Sequence, residues 1–353
     1  MNRRRGVQKF VYALFLSVIV LMIVFAFMLG PMFGATFTSV FSGVSAAIQY
    51  GPNGQTNATP GEPPLLYYNA PKPADYVTLA QYMLNLINND RMANNVTSNV
   101  TLDYNPAAQQ HAYSMLVNNY FSHWDTQGYK PYMRYTIAGG TGSVDENVAY
   151  EQYNGKFTNT AAVEQALKQM EYDMVYDDAG HNYGHRDNIL DPYHNMVTIG
   201  VAYNLNYVYL VQDFENKLIN WTQTPSLSSS GQVILSGSFP LSRSIQMVQI
   251  FYDPTPTPLT RQDLANPPYD GSYNQGTFVG GVVQPGFQVQ GGTTVNPSIW
   301  QISSSSFIIA FNMKNVIATD GPGVYTIYIA FPPSGNHQET FTSLSFFVTN
   351  SST

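Results

Sequence analysis

The fold of this chain is decided by three short islands of sequence, FSHW at Phe121–Trp124, DENVAY at Asp145–Tyr150 and GHRDNILDP at Gly184–Pro192. Each island places a titratable side chain beside small or amide residues that can anchor a turn. Such groups, brought together from distant segments, are how a fold builds a polar pocket. The islands therefore predict one pocket made from three separate parts of the chain.

The length of the chain indicates two folded units plus appendages, since 353 residues exceed one typical domain. The cysteine count is 0, which excludes disulfides and thiolate chemistry. Charged residues make up only 10% of the chain, and its net charge is −7. No basic block follows the apolar N-terminal run, so nucleic acid is not an expected partner.

The N-terminus has the pattern of a membrane anchor. Cations between Arg3 and Lys9 precede an uncharged stretch from Phe10 to Leu29, long enough as a helix to span the roughly 30 Å hydrocarbon core. The cations favour an inside N-terminus, so residues 1–34 are predicted to be a cytoplasmic stub and transmembrane anchor, and residues 35–74 an extracellular linker. The expected location is the cell membrane, single-pass, with the bulk outside. Cleavage near Val44–Ala47 would instead give a secreted protein.

Residues 75–219 are predicted to form an α+β unit. Asp75 is a predicted helix N-cap, and Asn105 followed by Pro106 predicts the start of a second helix. The expected elements are helices from near Asp75, from Pro106, through Tyr132–Tyr135 and from Ala161 to about Met174, then strands Met196–Tyr203 and Tyr207–Phe214. Helices followed by strands indicate a layered α+β domain.

The remainder of the chain is predicted to be all β. A Ser-, Thr- and Pro-rich stretch at 220–232 has the composition of a linker. Beyond it lie six short apolar runs: Val233–Phe239, Ile245–Tyr252, Phe278–Val283, Phe307–Phe311, Val324–Phe331 and Leu344–Val348. Six such runs in about a hundred residues predict an antiparallel β-sandwich over 233–353. It carries no catalytic constellation and is expected to be a spacer or a binding module.

N-x-Ser/Thr tripeptides lie in predicted loops, linkers and termini outside the membrane. They begin at Asn57, Asn95, Asn99, Asn220 and Asn350. This placement predicts that some of them carry glycan on a cell-surface protein.

The islands, together with Ile199–Ala202 and Val211–Phe214, resemble the CAP superfamily in their order and spacing. This superfamily comprises the cysteine-rich secretory, antigen 5 and pathogenesis-related-1 proteins, also called SCP domains, and the likeness is to its cysteine-free prokaryotic branch. The resemblance spans about Val77 to Glu215. It implies that the first unit is an α-β-α sandwich.

In that family two histidines and two acidic residues meet in a central cleft, so the resemblance implies a cleft formed by His123, Glu146 and His185. Glu171, on the helix before the second histidine, is the candidate fourth residue; because no Trp precedes it, the alternative is a solvated helix face. Two imidazoles and a carboxylate are a reasonable ligand set for Zn²⁺ or another divalent cation, with one position open for water. They would equally serve as a His–Glu general-base pair.

Other polar residues near the islands have simpler predicted roles. Asn147 and Asn188 are expected to hold loop backbones rather than bind ligand. His181 lies four residues before His185, but the Tyr-Gly pair between them indicates a loop. His181 is therefore expected at the pocket rim or in solvent. His111, on the second helix, is expected to be a surface or half-buried residue. Ser122 is not expected to act as a nucleophile, because adjacent residues seldom orient face to face.

Three functions remain open from the sequence. The first is a non-catalytic binding module for lipid, glycan or a partner protein at the cell surface. The second is a peptidase-like hydrolase that uses a metal or the His–Glu pair, although no G-x-S-x-G turn, H-E-x-x-H helix or reactive Cys is present. The third is a structural component of the envelope, with both units as spacers.

Overall fold

A computed structural model describes residues 70–239, 245–331 and 340–349. Across these ranges no helix combines the length and apolarity needed to cross a bilayer. The predicted anchor at Phe10–Leu29, most of the linker at 35–74 and the sequons at Asn57 and Asn350 lie outside the described residues.

The helices of the first unit are α1 (Tyr76–Ala93), α2 (Pro106–Asn118), α3 (Pro131–Ile137), α4 (Thr160–Tyr176) and α5 (Gly184–Leu190), with a 3₁₀ turn at Asp178–His181. Asn105 caps α2 as predicted, because its side chain accepts a hydrogen bond from the Ala107 amide at 3.0 Å. Asp75 precedes α1 but makes no side-chain cap. Its carboxylate instead accepts hydrogen bonds from the hydroxyls of Thr160 and Tyr203, at 2.7 and 3.0 Å, which tie α1 to its neighbours.

One sheet runs through the first unit. Its strands are β1 (Thr101–Leu102), β2 (Ser143–Gln152), β3 (Met196–Tyr203) and β4 (Tyr207–Asn216), in the order β1-β3-β4-β2. The sequence pattern predicts β3 and β4 but not β2, whose Asp, Glu and Asn residues have low strand propensity. Pairing with β4 along the whole of β2 overrides that preference and aligns Glu146 with Asp213.

The sheet lies between two helical layers because its side chains alternate between faces. Val197, Ile199 and Val201 of β3 join one buried cluster, which also contains the apolar faces of α1 and α4. Ala202 of β3 and Val211 of β4 belong to a second cluster, formed with α2 on the other face. This arrangement is the α-β-α layering expected for the first unit.

Two further sheets make up the second unit. Its elements are β5 (Asn220–Trp221), β6 (Gln232–Ser238), β7 (Met247–Pro254), α6 (Arg261–Leu264), β8 (Thr277–Val282), β9 (Thr293–Val295), β10 (Ile299–Ile302), β11 (Ser306–Asn312), α7 (Lys314–Asp320), β12 (Gly323–Ala330) and β13 (Leu344–Val348). The strand orders are β10-β11-β6-β5 and β13-β12-β7-β8-β9, with a shared apolar core. The predicted linker at 220–232 is therefore a strand at its start, because Asn220 and Trp221 pair with β6.

The two units share a buried interface along α3. Lys130, just before α3, forms an ion pair with Asp253 of β7, with 2.8 Å between Nζ and Oδ1. The Tyr132 hydroxyl donates to the second carboxylate oxygen of Asp253 at 2.6 Å. Val324 of β12 joins the apolar cluster of α3, and Leu264 of α6 is buried against the layer of α2. The long connection between β7 and β8 is thereby held against the first unit.

Candidate functional site

A cleft of about 800 Å³ lies where the first unit meets the β7–β8 connection. Its walls are the turn after α2, strand β2, the segment from the end of α4 through α5, and residues 270–275 of the second unit. All three sequence islands reach this cleft, so the structure brings together the segments that the pattern links.

Glu146 lies at the base of the cleft and is almost completely buried. One carboxylate oxygen, Oε1, is 2.9 Å from Nδ1 of His123. The other, Oε2, accepts a hydrogen bond of 2.6 Å from the guanidinium of Arg134, which is itself buried on α3. Both oxygens of Glu146 are therefore committed to partners within the protein.

The charge of Glu146 is stabilised by this environment. Burial opposes its ionisation, but the Arg134 guanidinium, together with the hydrogen bond to His123, lowers the pKa of Glu146 to about 2. Asp213, opposite Glu146 on β4, has its pKa raised well above the usual range by burial and by the Glu146 charge. The negative charge of Glu146 is thus balanced by the guanidinium of Arg134, and ionisation of the neighbouring Asp213 is disfavoured.

His111 holds in place the turn that carries His123. The prediction of a surface or half-buried position is wrong, because the His111 side chain is fully buried. Its Nε2–H donates to the carbonyl of Ser122 at 2.8 Å, which fixes the turn that carries His123. Burial, with a further effect from Arg134, lowers the pKa of His111 to about 3, so this ring is neutral.

His185 has a separate carboxylate partner. Its Nδ1 is 2.7 Å from Oδ1 of Asp178, at the start of the 3₁₀ turn. The other Asp178 oxygen accepts a hydrogen bond from the Arg186 amide at 3.0 Å. Burial lowers the pKa of His185, although Asp178 acts in the opposite direction. Asp178 is a site residue that the sequence does not predict, because it lies in an irregular turn without a recognisable pattern.

The two asparagines hold the His185 segment against the sheet. Asn147 of β2 donates to the His185 carbonyl at 3.0 Å and to the Gln212 side chain at 3.2 Å. Asn188 of α5 donates to the Asn147 side-chain oxygen at 2.9 Å. They lie on a strand and a helix rather than on loops, and their bonds join those two elements.

Glu171 does not line the cleft, and it is not on a solvated helix face. It is almost completely buried in α4, where Oε2 accepts a hydrogen bond of 2.6 Å from Gln212. Its Oε1 has no hydrogen-bond partner among the described residues. Burial raises the pKa of Glu171 to about 8, although Gln212 acts to lower it. At neutral pH this side chain is mainly an uncharged acid.

The four sequence-predicted ligands therefore do not meet in one cluster. It pairs His123 with Glu146, pairs His185 with Asp178 and keeps Glu171 apart. Within the described ranges, only one set of three ligand-bearing side chains converges, with one ligand atom from each within 4.8 Å of the other two. That set is Asp178, His181 and His185.

The second unit contributes directly to the cleft. The Tyr273 hydroxyl accepts a hydrogen bond of 3.0 Å from the Glu146 amide. The Tyr273 ring also lies against His123, with 5.0 Å between ring centroids. Nothing in the sequence identifies this residue, because it belongs to an irregular connection more than a hundred positions away from its partners.

Ser122 is not placed as a nucleophile. Its hydroxyl donates to the carbonyl of Tyr269 at 2.5 Å and accepts a hydrogen bond from the Trp124 amide at 3.0 Å. These bonds hold the turn after α2 against the second unit. They direct the hydroxyl to backbone groups rather than to the imidazole of His123.

The lining of the cleft is strongly acidic. Its carboxylate residues are Asp145, Glu146, Glu151, Asp173, Asp177, Asp178 and Asp270, and no Lys or Arg is among the described residues that line it. Asp173, Asp177 and Asp270 are exposed. Arg134 balances Glu146 from beneath, so the excess negative charge belongs to the outer walls.

Comparison with known proteins gives a family for the first unit. Residues 84–214 match the sequence model of the cysteine-rich secretory protein family, CAP. Among solved structures, the chain is similar to the CAP domain of Enterococcal PrgA, at 16% identity and a TM-score of 0.31, over 41% of this chain and 63% of that one. It is also similar to an extracellular SCP-domain protein from Bacillus anthracis str. Ames, at 23% identity and a TM-score of 0.30, over 42% of this chain and 45% of that one. The match spans less than two thirds of either structure, and no curated protein matches the chain.

Proposed function

Since residues 84–214 are a CAP domain, we propose that this chain is a non-catalytic binding module whose cleft takes a partner-protein segment that carries Lys or Arg. The observation that carries this proposal is the composition of the cleft walls. Seven lining residues are Asp or Glu, and the described lining contains neither Lys nor Arg. This one-sided charge favours a cationic protein segment over an anionic lipid or an acidic glycan.

Charge complementarity argues for a cationic segment. A cleft lined by one sign of charge between low-dielectric walls concentrates its field and attracts the opposite charge. Anionic lipid headgroups and acidic glycans would be repelled by the same walls. Exposed aromatic rings at Phe121 and Tyr150 stand at the cleft, where the stems of Lys or Arg can pack on them.

The hydrogen bonds at the base of the cleft argue against Glu146 itself as the general base of a hydrolase. A general base must accept a proton from a reacting group, but Glu146 already binds Arg134 and His123 and has a pKa of about 2. The hydroxyl of Ser122, the serine of the sequence islands, donates to a backbone carbonyl. These groups support the shape and charge of a binding site.

The location belongs to the same proposal. The apolar run Phe10–Leu29 would tether the module to the membrane with its cleft outside the cell. The sequons at Asn95, Asn99 and Asn220 are exposed and would be accessible for glycosylation.

Peptide binding to the full chain in detergent micelles tests the proposed ligand class. Fluorescence anisotropy would compare a Lys-rich peptide with a Glu-rich peptide of the same length. We expect only the Lys-rich peptide to bind, with affinity that falls as salt is raised. Asp177→Asn and Asp270→Asn should each weaken binding about three- to tenfold, which corresponds to roughly 0.7–1.4 kcal/mol.

Asp320→Asn is the matched control, since Asp320 lies on α7 of the second unit and does not line the cleft. It should leave the affinity unchanged. Binding of anionic vesicles or of the Glu-rich peptide in preference to the Lys-rich one would refute the proposal.

A further inference from the structure

The segment between α4 and α5 folds back on itself at the rim of the cleft. The 3₁₀ turn ends at His181, and Asn182 and Tyr183 follow with φ values of 53° and 63°. A left-handed conformation is uncommon for a bulky residue such as Tyr183. This reversal brings the His181 ring to a centroid distance of 4.8 Å from the ring of His185, although the two histidines do not share a helix.

We propose that Asp178, His181 and His185 form a binding site for a divalent transition metal, for which Zn²⁺ is the appropriate probe. One ligand atom from each side chain lies within 4.8 Å of the other two. In tetrahedral Zn²⁺ coordination the ligand atoms are about 3.3 Å apart, given metal–ligand distances near 2.0–2.1 Å. Coordination therefore requires the exposed His181 side chain to adjust and the metal to replace the hydrogen between Asp178 Oδ1 and His185 Nδ1, which lie 2.7 Å apart.

The donor types determine the class of metal. Two imidazoles and one carboxylate suit Zn²⁺ and its transition-metal neighbours, whereas Ca²⁺ and Mg²⁺ prefer ligand sets made of oxygen. Three protein ligands leave a further coordination position open to water or to a ligand in the cleft.

The protein already orients two of the three ligands. The Asp178 carboxylate is buried, and its Oδ2 is fixed by the Arg186 amide, which leaves Oδ1 directed at His185. The backbone of His185 is held to β2 by Asn147. His181 is exposed, so it is the side chain free to close on a metal. Fixed ligands supported by outer hydrogen bonds are the arrangement that metal sites use.

This site differs from the ligand set that the family resemblance implies. The proposed site and the family ligand set have only His185 in common. His123 and Glu146 are bonded to each other, and Arg134 occupies the second oxygen of Glu146. Substitution of His181 therefore affects only the proposed site, whereas substitution of His123 affects only the family set.

Metal titration of the full chain tests the inference without any peptide ligand, so its failure is separate from failure of the proposed binding function. The metal-stripped protein in micelles would be titrated with Zn²⁺ by calorimetry, and with Co²⁺ by its visible absorption. We expect one ion per chain in the wild type and in His123→Ala. His181→Ala should weaken binding at least tenfold and remove the Co²⁺ spectrum.

His181 is exposed, so His181→Ala should keep the wild-type circular dichroism spectrum and melting curve. Asp178→Asn gives a second measurement, because loss of the carboxylate should change the Co²⁺ spectrum while leaving both histidines in place. Equal metal affinity in the wild type and His181→Ala, loss of binding in His123→Ala, or no uptake by the wild type would each overturn the proposal.

Discussion

Replacement of Glu171 by Gln should make the protein more stable at alkaline pH while changing little in acid. Glu171 is almost completely buried, has one hydrogen bond to Gln212, and leaves its second oxygen without a partner among the described residues. Burial raises its pKa from 4.5 in the unfolded chain to about 8 in the folded one. Gln has nearly the same shape and no charge, so it preserves the hydrogen bond and removes the titration.

The direction and size of this change in unfolding free energy follow from proton linkage. A group with a raised folded pKa contributes stability that is fully present below the unfolded pKa and is lost as pH rises through the folded pKa. For Glu171 that window runs from 4.5 to about 8. At about 1.4 kcal/mol per pH unit, the wild type loses about 5 kcal/mol of unfolding free energy across the window, and Glu171→Gln does not.

Urea unfolding followed by Trp fluorescence measures the difference in unfolding free energy between the wild type and Glu171→Gln. The full chain in micelles would be unfolded at several pH values between acid and about pH 9. The curves of wild type and Glu171→Gln should nearly coincide in acid and separate steadily as pH rises. Glu164→Gln, a half-buried position on the same helix, is the matched control for removal of a carboxyl group from α4. A constant difference across the range, or a variant that is less stable in alkali, would refute a buried neutral acid at this position.

Three further predictions concern buried contacts, and each is measured by urea or thermal unfolding. Arg134→Met should cost about 3–5 kcal/mol because it leaves the Glu146 carboxylate buried without its cation, and a second change, Glu146→Gln, should recover part of that loss. Asp253→Asn should cost about 3 kcal/mol by leaving the Lys130 ammonium without a carboxylate at the interface, and should split one thermal transition into two; a single unshifted transition would contradict the role given to this pair. Gly200→Ala should cost about 3 kcal/mol, since its new methyl group would lie 2.1 Å from a carbonyl oxygen of α2, and a wild-type melting temperature would show that the helix can move aside.

Local signals account for the parts of the fold that the sequence predicted. The Asn105-Pro106 pair sets the start of α2, because a capping side chain and a proline at the first helical turn both act within a few residues. Strands β3 and β4 follow from apolar runs joined by a short polar turn. The strand β2 does not follow from its own composition, since pairing with β4 decides it.

The three sequence islands also predicted part of the candidate site. The three islands predicted that His123, Glu146 and His185 line one cleft, and they do. A cation within the otherwise apolar helix segment PYMRYTI was a usable signal for Arg134, because a charge on a buried helix needs a partner. No comparable signal existed for Tyr273 or Asp178.

The sequence by itself determined α1 to α4, the apolar strands such as β3 and β4, and the segments that meet at the cleft, because caps, periodicity and motif spacing act over short distances. Tertiary structure alone decided the partner of each polar group. It placed His111 beneath the site, buried Glu171 as a neutral acid and brought His181 beside His185. These outcomes depend on desolvation and on contacts between distant segments, and neither quantity is encoded by the neighbours of a residue along the chain.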